Sequence, residues 1–107
     1  MAEQALGGFE HQVLLALMRL GGETYSVPVV DELERLLGKA PAPAAVYVTL
    51  RRLERRGLLT SVMRAPEDGV GGRARRVFRA EPDVARLLRS VRHELSVLWD
   101  GLDTLEP

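Results

Sequence analysis

Four stretches of this chain repeat apolar residues at intervals of three and four, the period of a helix with one buried face. In the first, Phe9, Val13, Leu14, Leu17 and Leu20 recur at that spacing and Gly21-Gly22 ends the run. The second places Val27, Val30, Leu33, Leu36 and Leu37 on one stripe, with Ser26 as its expected cap, Pro28 in its first turn and Gly38 at its end. The turn Lys39-Ala40-Pro41-Ala42-Pro43 leads into the third, which opens on Pro43, runs to about Arg56 and stops at Gly57. On its wheel Val46, Thr49, Leu50 and Leu53 share one side. Ala44, Val48, Arg51 and Arg55 share the other, with Arg52 close by. Leu58 to Arg64 and Arg75 to Ala80 read as strands. Between them Ala65 to Ala74 holds Pro66, Gly69, Gly71 and Gly72, a hairpin loop longer than the tight two-residue kind.

Glu81-Pro82-Asp83 opens the fourth helical stretch. There Val84, Leu88, Val91, Leu95, Leu98, Leu102 and Leu105 alternate spacings of four and three, a heptad seam. So long a seam exceeds what a small domain covers by itself and predicts a partner helix. The candidates are the first helix of the same or another subunit, or the seam's own copy across a two-fold axis. The expected fold is therefore α+β and mainly α. Residues 1–80 form a winged helix-turn-helix with a two-stranded wing, and residues 81–107 form a long C-terminal dimerisation helix.

Charge sharpens this picture. The chain is neutral overall, yet residues 39–79 hold ten basic side chains against Glu54, Glu67 and Asp68, a local charge of +7 that the rest of the chain balances. A polyanion is drawn to that segment and repelled by the ends. Alone, such a run is most simply a solvated face. Its place on a helix that follows a helix and precedes a hairpin points to DNA. A helix in the major groove needs small side chains where it meets base edges, which Ala44 and Val48 supply. Arg51 and Arg55 lie further along that face, within reach of phosphates or guanine edges. Tyr47 and Thr49 flank it, and Tyr47 either bonds a phosphate or packs at the helix edge. In the hairpin, Gly71 to Arg76 suits a wing tip whose Arg73, Arg75 and Arg76 meet phosphate or the minor groove. A nucleotide-binding loop does not fit, because the Lys and Ser/Thr of a P-loop are missing.

Composition narrows the function further. A chain of 107 residues makes one domain, or a small domain with an appendage. Without cysteine it has neither disulfides nor thiolate zinc sites. No apolar run is long enough to span a membrane, and the N-terminus lacks a signal peptide's basic region, so a cytoplasmic protein is expected. Fourteen arginines against one lysine, with no Ile or Asn, point to a GC-rich bacterial genome. His11 and His93 are the only histidines, and no nucleophile or metal motif accompanies them. The expectation is no enzyme, no cofactor and no metal. Trp99, the sole tryptophan, has two readings: packing at an interface, or a flat wall for a planar ligand there.

AVYVTLRRLERRGLL, with Tyr47, Leu50, Leu53, Glu54, Gly57 and Leu58, and the hairpin sequence GGRARRVFR together resemble the PadR-type winged-helix transcriptional regulators of bacteria. The similarity extends from Phe9 to about Leu105. It implies a compact homodimeric repressor whose third helix enters the major groove of double-stranded DNA. The wing would touch the backbone, and the C-terminal helix would dimerise against the partner's first helix. Some relatives take phenolic or flat aromatic effectors at that interface, which makes Trp99 the candidate effector contact. Two departures stand out. Ala42 replaces the Ser or Thr common before the recognition helix, which weakens its cap. Ala80-Glu81-Pro82-Asp83-Val84 lacks the glycine many relatives carry there. The rival class is a winged-helix protein-interaction adaptor without specific DNA binding, which has no need of the concentrated charge.

Overall fold

The computed structural model of the protein describes residues 5–66, 72–102 and 104–105. Along them run α1 (Gly8–Arg19), β1 (Glu23–Thr24), α2 (Ser26–Leu37), α3 (Pro43–Arg55), β2 (Leu59–Arg64), β3 (Arg75–Ala80) and α4 (Val84–Trp99). Val13, Leu14 and Leu17 of α1 meet Val29, Val30 and Leu33 of α2 and Val46, Leu50 and Leu53 of α3 in one core. Leu58, Leu59 and Phe78 close that core from the sheet side. The sheet is antiparallel in the order β1-β3-β2, with Leu59 opposite Ala80 and Arg64 opposite Arg75. The architecture is the expected winged helix-turn-helix, α+β and mainly α, with one strand more than the pattern predicts. In β1, Glu23 pairs with Arg79 and Thr24 with Phe78. Two residues are too few to display the alternation by which a strand is recognised.

Four other expectations need correction. In α2 the buried residues are Val29, Val30 and Leu33, while Val27, Leu36 and Leu37 are exposed. The core reaches only the first two turns of that helix, so its apolar C-terminal end lies outside it. Ser26 is the first helical residue, and Tyr25 holds the cap position without a side-chain cap. The heptad seam divides: Val84 and Leu88 are buried in the chain's own core, not offered to a partner. The helix also ends at Trp99, because Asp100 turns extended and Gly101 takes a left-handed φ of 85°. Leu102 and Leu105 therefore lie past the helix.

The α3–β2 turn explains how the hairpin is placed. Gly57 has φ 81°. The Leu58 N–H returns to the Leu53 carbonyl at 3.0 Å and the Gly57 N–H to Glu54 at 2.9 Å. This is a Schellman-type close, with Leu53 and Leu58 both inside the core. A side chain at position 57 would strain that left-handed backbone.

Carboxylates tie the helices together. Glu10 accepts from the Gly7 N–H at 2.9 Å, half of a capping box, and from Arg56 Nη1 at 2.7 Å. The Gly7 hydrogen bond and the Arg56 guanidinium hold its pKa below 4.5. Arg79 and Arg64 do the same for Glu23. Glu32, bonded first by Arg35 and then by Arg19, is lowered from 4.5 to about 2. A carboxylate whose folded pKa is depressed stabilises the fold above its unfolded pKa and loses that contribution as pH falls through the folded value. The melting temperature is therefore expected to fall as pH drops from 4.5 to about 2, the Glu32 bridges failing last. Circular-dichroism melts across that window check this, and a flat profile contradicts it.

Candidate nucleic-acid interface

Helix α3 starts with Pro43 at its first position and Ala42 as a cap that offers no side-chain hydrogen bond. Ala44, Ala45 and Val48 are exposed, Val48 by 48%. They form a small, apolar first half of the outer face. Arg52 and Arg55 stand exposed in the second half. Thr49 corrects the expectation that it lies near bases. It is 3% exposed and sits among the core-facing Val46, Leu50 and Leu53, where helical periodicity puts it. Tyr47 packs edge-on against Phe78, with ring centroids 6.1 Å apart and planes at 73°, so its ring braces the helix on the sheet.

The wing arginines are used in different ways. The Arg75 guanidinium lies 4.2 Å from the centre of the Tyr25 ring, a cation–π contact that ties the hairpin to the start of α2. Arg73 is exposed. Arg76 turns inward, its Nη1 donating to Ser61 Oγ at 3.0 Å, while the Ser61 hydroxyl donates to Glu54 Oε2 at 2.7 Å. Arg51 is half-buried, with Nε 3.7 Å from Glu54 Oε1. Arg64, at the loop end of β2, and Arg79 both bond Glu23, at 3.2 and 3.0 Å. Glu67, Asp68, Gly69 and Gly71 of the expected wing tip lie outside the described residues.

These pieces enclose one open groove of about 390 Å³. Tyr25, Ser26 and Val27 at the start of α2 form one wall, Tyr47 the floor, and Met63 with Arg73, Ala74, Arg75 and Arg76 the other wall. The start of α2 and the arginines of the wing line the same space, which suits an anionic backbone.

A second concavity separates α1 from α4. His11, Leu15, Leu88, Arg89, Arg92, Leu95, Ser96 and Trp99 line a cleft of about 460 Å³. Beyond Leu88 the helix leaves its own domain. Val91 is half-buried, whereas Leu95, Val97, Leu98 and Trp99 are exposed, Leu98 by 70%. The radius of gyration is accordingly 15.7 Å, against about 13 Å for a compact chain of this length. Among the described residues no three His, Asp or Glu side chains gather as a metal site. No helix among them is long and apolar enough to cross a membrane.

A PadR family transcriptional regulator from Eggerthella lenta shares this fold. Its structure superposes with a TM-score of 0.69 at 30% identity, covering 87% of this chain and 79% of that one. The chain belongs to the PadR family of transcriptional regulators. A transcriptional regulator of Mycobacterium tuberculosis is 41% identical over 76 residues, which is 71% of this chain and 66% of that relative's length. A PadR-like transcription factor from Bacteroides fragilis shares the fold at a TM-score of 0.73 and 15% identity, over 92% of this chain and 89% of its own. No protein-family model matches the chain.

In this PadR chain the structure brings Ala44, Val48, Arg55, Arg73 and Arg75 onto the outer faces of helix and wing. It sets Arg51 and Arg76 around Glu54 and removes Thr49 to the core. Tyr25 and Glu23 are the contributors that sequence reasoning misses. The aromatic ring directly before a helix start was the available signal for Tyr25. Glu23 gave none, because its two arginine partners lie 41 and 56 residues away.

Proposed function

We propose that this PadR protein is a homodimeric repressor that binds double-stranded DNA sequence-specifically and is released by a small aromatic effector. The observation that carries the reading is the groove between α3, the wing and the start of α2, with small residues and guanidiniums on its rims. Ala44 and Val48 meet base edges in the major groove, with Tyr47 at their side. Arg55, Arg73 and Arg75 neutralise phosphates, and Arg51 joins them on the bound duplex. Dimerisation uses the outer half of the seam, Val91, Leu95 and Leu98, continued by Leu102 and Leu105 beyond the helix. Each copy's exposed α4 lies against the partner's α1, where Leu15 is also exposed. The effector reading rests on the α1–α4 cleft, which combines the Trp99 ring and three leucines with Arg89 and Arg92.

One titration tests both arms. DNA from upstream of the protein's own gene is expected to bind at least about 10³-fold more tightly than random duplex at physiological salt. Equal affinities would favour the adaptor reading. Trp99 is the only tryptophan, so its fluorescence, followed as phenols and aromatic acids are added to the complex, reports on the cleft. Quenching that accompanies DNA release supports the effector. Release without any change at Trp99 places the effector elsewhere.

A further inference from the structure

We propose that Glu54 is a positioning residue for DNA recognition: its carboxylate withholds Arg51 and Arg76 from random phosphate and locks the wing to the recognition helix. This rests on the reading that α3 and the wing bind DNA. Glu54 lies on α3, about two turns beyond Val48. Its Oε2 accepts the Ser61 hydroxyl of β2 at 2.7 Å, and Ser61 in turn accepts Arg76 Nη1 of β3 at 3.0 Å. Its Oε1 faces Arg51 Nε at 3.7 Å. One carboxylate thus organises two guanidiniums from different elements, and does so on the inner side of the proposed reading surface.

The network is under-satisfied. Among the described residues, Arg51 Nη1, Glu54 Oε1 and Arg76 Nε are buried without a hydrogen-bond partner. Unmet polar groups in a partly desolvated site favour any rearrangement that supplies a partner. The two arms differ in how firmly they are held. Arg76 is joined by two short hydrogen bonds in series, which makes it a strut between sheet and helix. Arg51 is held by a long ion pair, and its side chain is 36% exposed. A phosphate set at the right distance from α3 gives Arg51 the acceptor it lacks at little cost. A phosphate in the wrong register does not offset the broken pair with Glu54. The carboxylate therefore penalises misplaced DNA more than correctly seated DNA, which is a source of specificity without a base contact.

Glu54→Gln keeps the shape and the carbonyl that accepts from Ser61, but removes the charge. Salt-dependent binding is measured on two duplexes, one selected by the protein from a random pool and one random. The variant is expected to bind random duplex more tightly, with a salt slope steeper by about 0.9 per protomer as Arg51 is released. The preference for the selected duplex falls at the same time. A purely structural role for Glu54 leaves the slope alone, so a wild-type slope on random duplex overturns the proposal. Should Glu54→Gln fail to fold, Arg51→Gln decides, since it alters a half-exposed side chain. It is expected to lower the slope on the selected duplex by about 0.9 per protomer and to leave the random duplex slope in place. Equal losses on both overturn the proposal. Wild-type protein that binds neither duplex overturns the DNA reading itself, whereas normal wild-type binding with unaltered variants removes Glu54 alone.

Discussion

Leu98→Glu is expected to convert the protein to a monomer and to lower its affinity for its operator by about 10²- to 10⁴-fold, the benefit that linking two half-site contacts supplies. Leu98 is 70% exposed and lies outside the core, so the substitution leaves the single-chain fold intact. What it changes is the outer half of α4. Leu95, Leu98 and the neighbouring Trp99 make an apolar strip that one protomer leaves in water. A glutamate there faces either solvent in the monomer or an unpaired burial in the dimer, and the second is costly. Sedimentation equilibrium gives the mass and a mobility shift gives the affinity. A dimer that survives the substitution would place the interface elsewhere. Loss of the dimer with undiminished operator binding would make dimerisation irrelevant to recognition.

The double substitution Arg73→Ala, Arg75→Ala is expected to flatten the plot of log affinity against log salt by about 3.6 for a dimer, four phosphate contacts at about 0.9 each. The accompanying cost to folding is small, about 0.5–1 kcal/mol for the lost Arg75–Tyr25 contact. Both side chains extend from the exposed side of the hairpin, and neither ion-pairs with another described residue. Fluorescence anisotropy of labelled duplex over a salt series measures the slope. An unchanged slope would take the wing out of the phosphate contacts and leave α3 to account for them.

The helices and the two wing strands were legible because their apolar periods are long and their ends are marked by glycine and proline. Pro43 and Gly57 bound α3, and Arg75 to Ala80 forms a strand over the predicted residues. The failures share a cause. Periodicity reveals that a face is apolar, not what covers it. Val84, Leu88, Leu95 and Leu98 belong to one seam by spacing, yet the first two meet the chain's own core and the last two meet none of it. Leu36 and Leu37 share a stripe with Leu33 but lie beyond the core's edge. Charge is read with the same blindness. Ten basic residues mark a charged segment, but not that Glu23 would occupy Arg64 and Arg79, or that Glu54 would gather Arg51 and Arg76. Those partnerships depend on strand pairing, which brings distant residues together without leaving a local mark.

The short root of α4 has a geometric consequence. Only Glu81, Pro82 and Asp83 separate β3 from that helix, and the Glu81 N–H is fastened to the Leu58 carbonyl at 2.9 Å. With Val84 and Leu88 as its footing, the helix from there to Trp99 is a lever about 16 Å long. A tilt of about 10° at the footing displaces the far end by about 3 Å, close to the rise of about 3.4 Å per nucleotide along a strand. In a two-fold dimer, then, the repacking of one or two side chains beneath Val84 and Leu88 would alter the separation of the recognition helices by close to one base-pair rise. The gauge that sets operator spacing would thus lie in the hydrophobic interior, far from any residue that touches DNA.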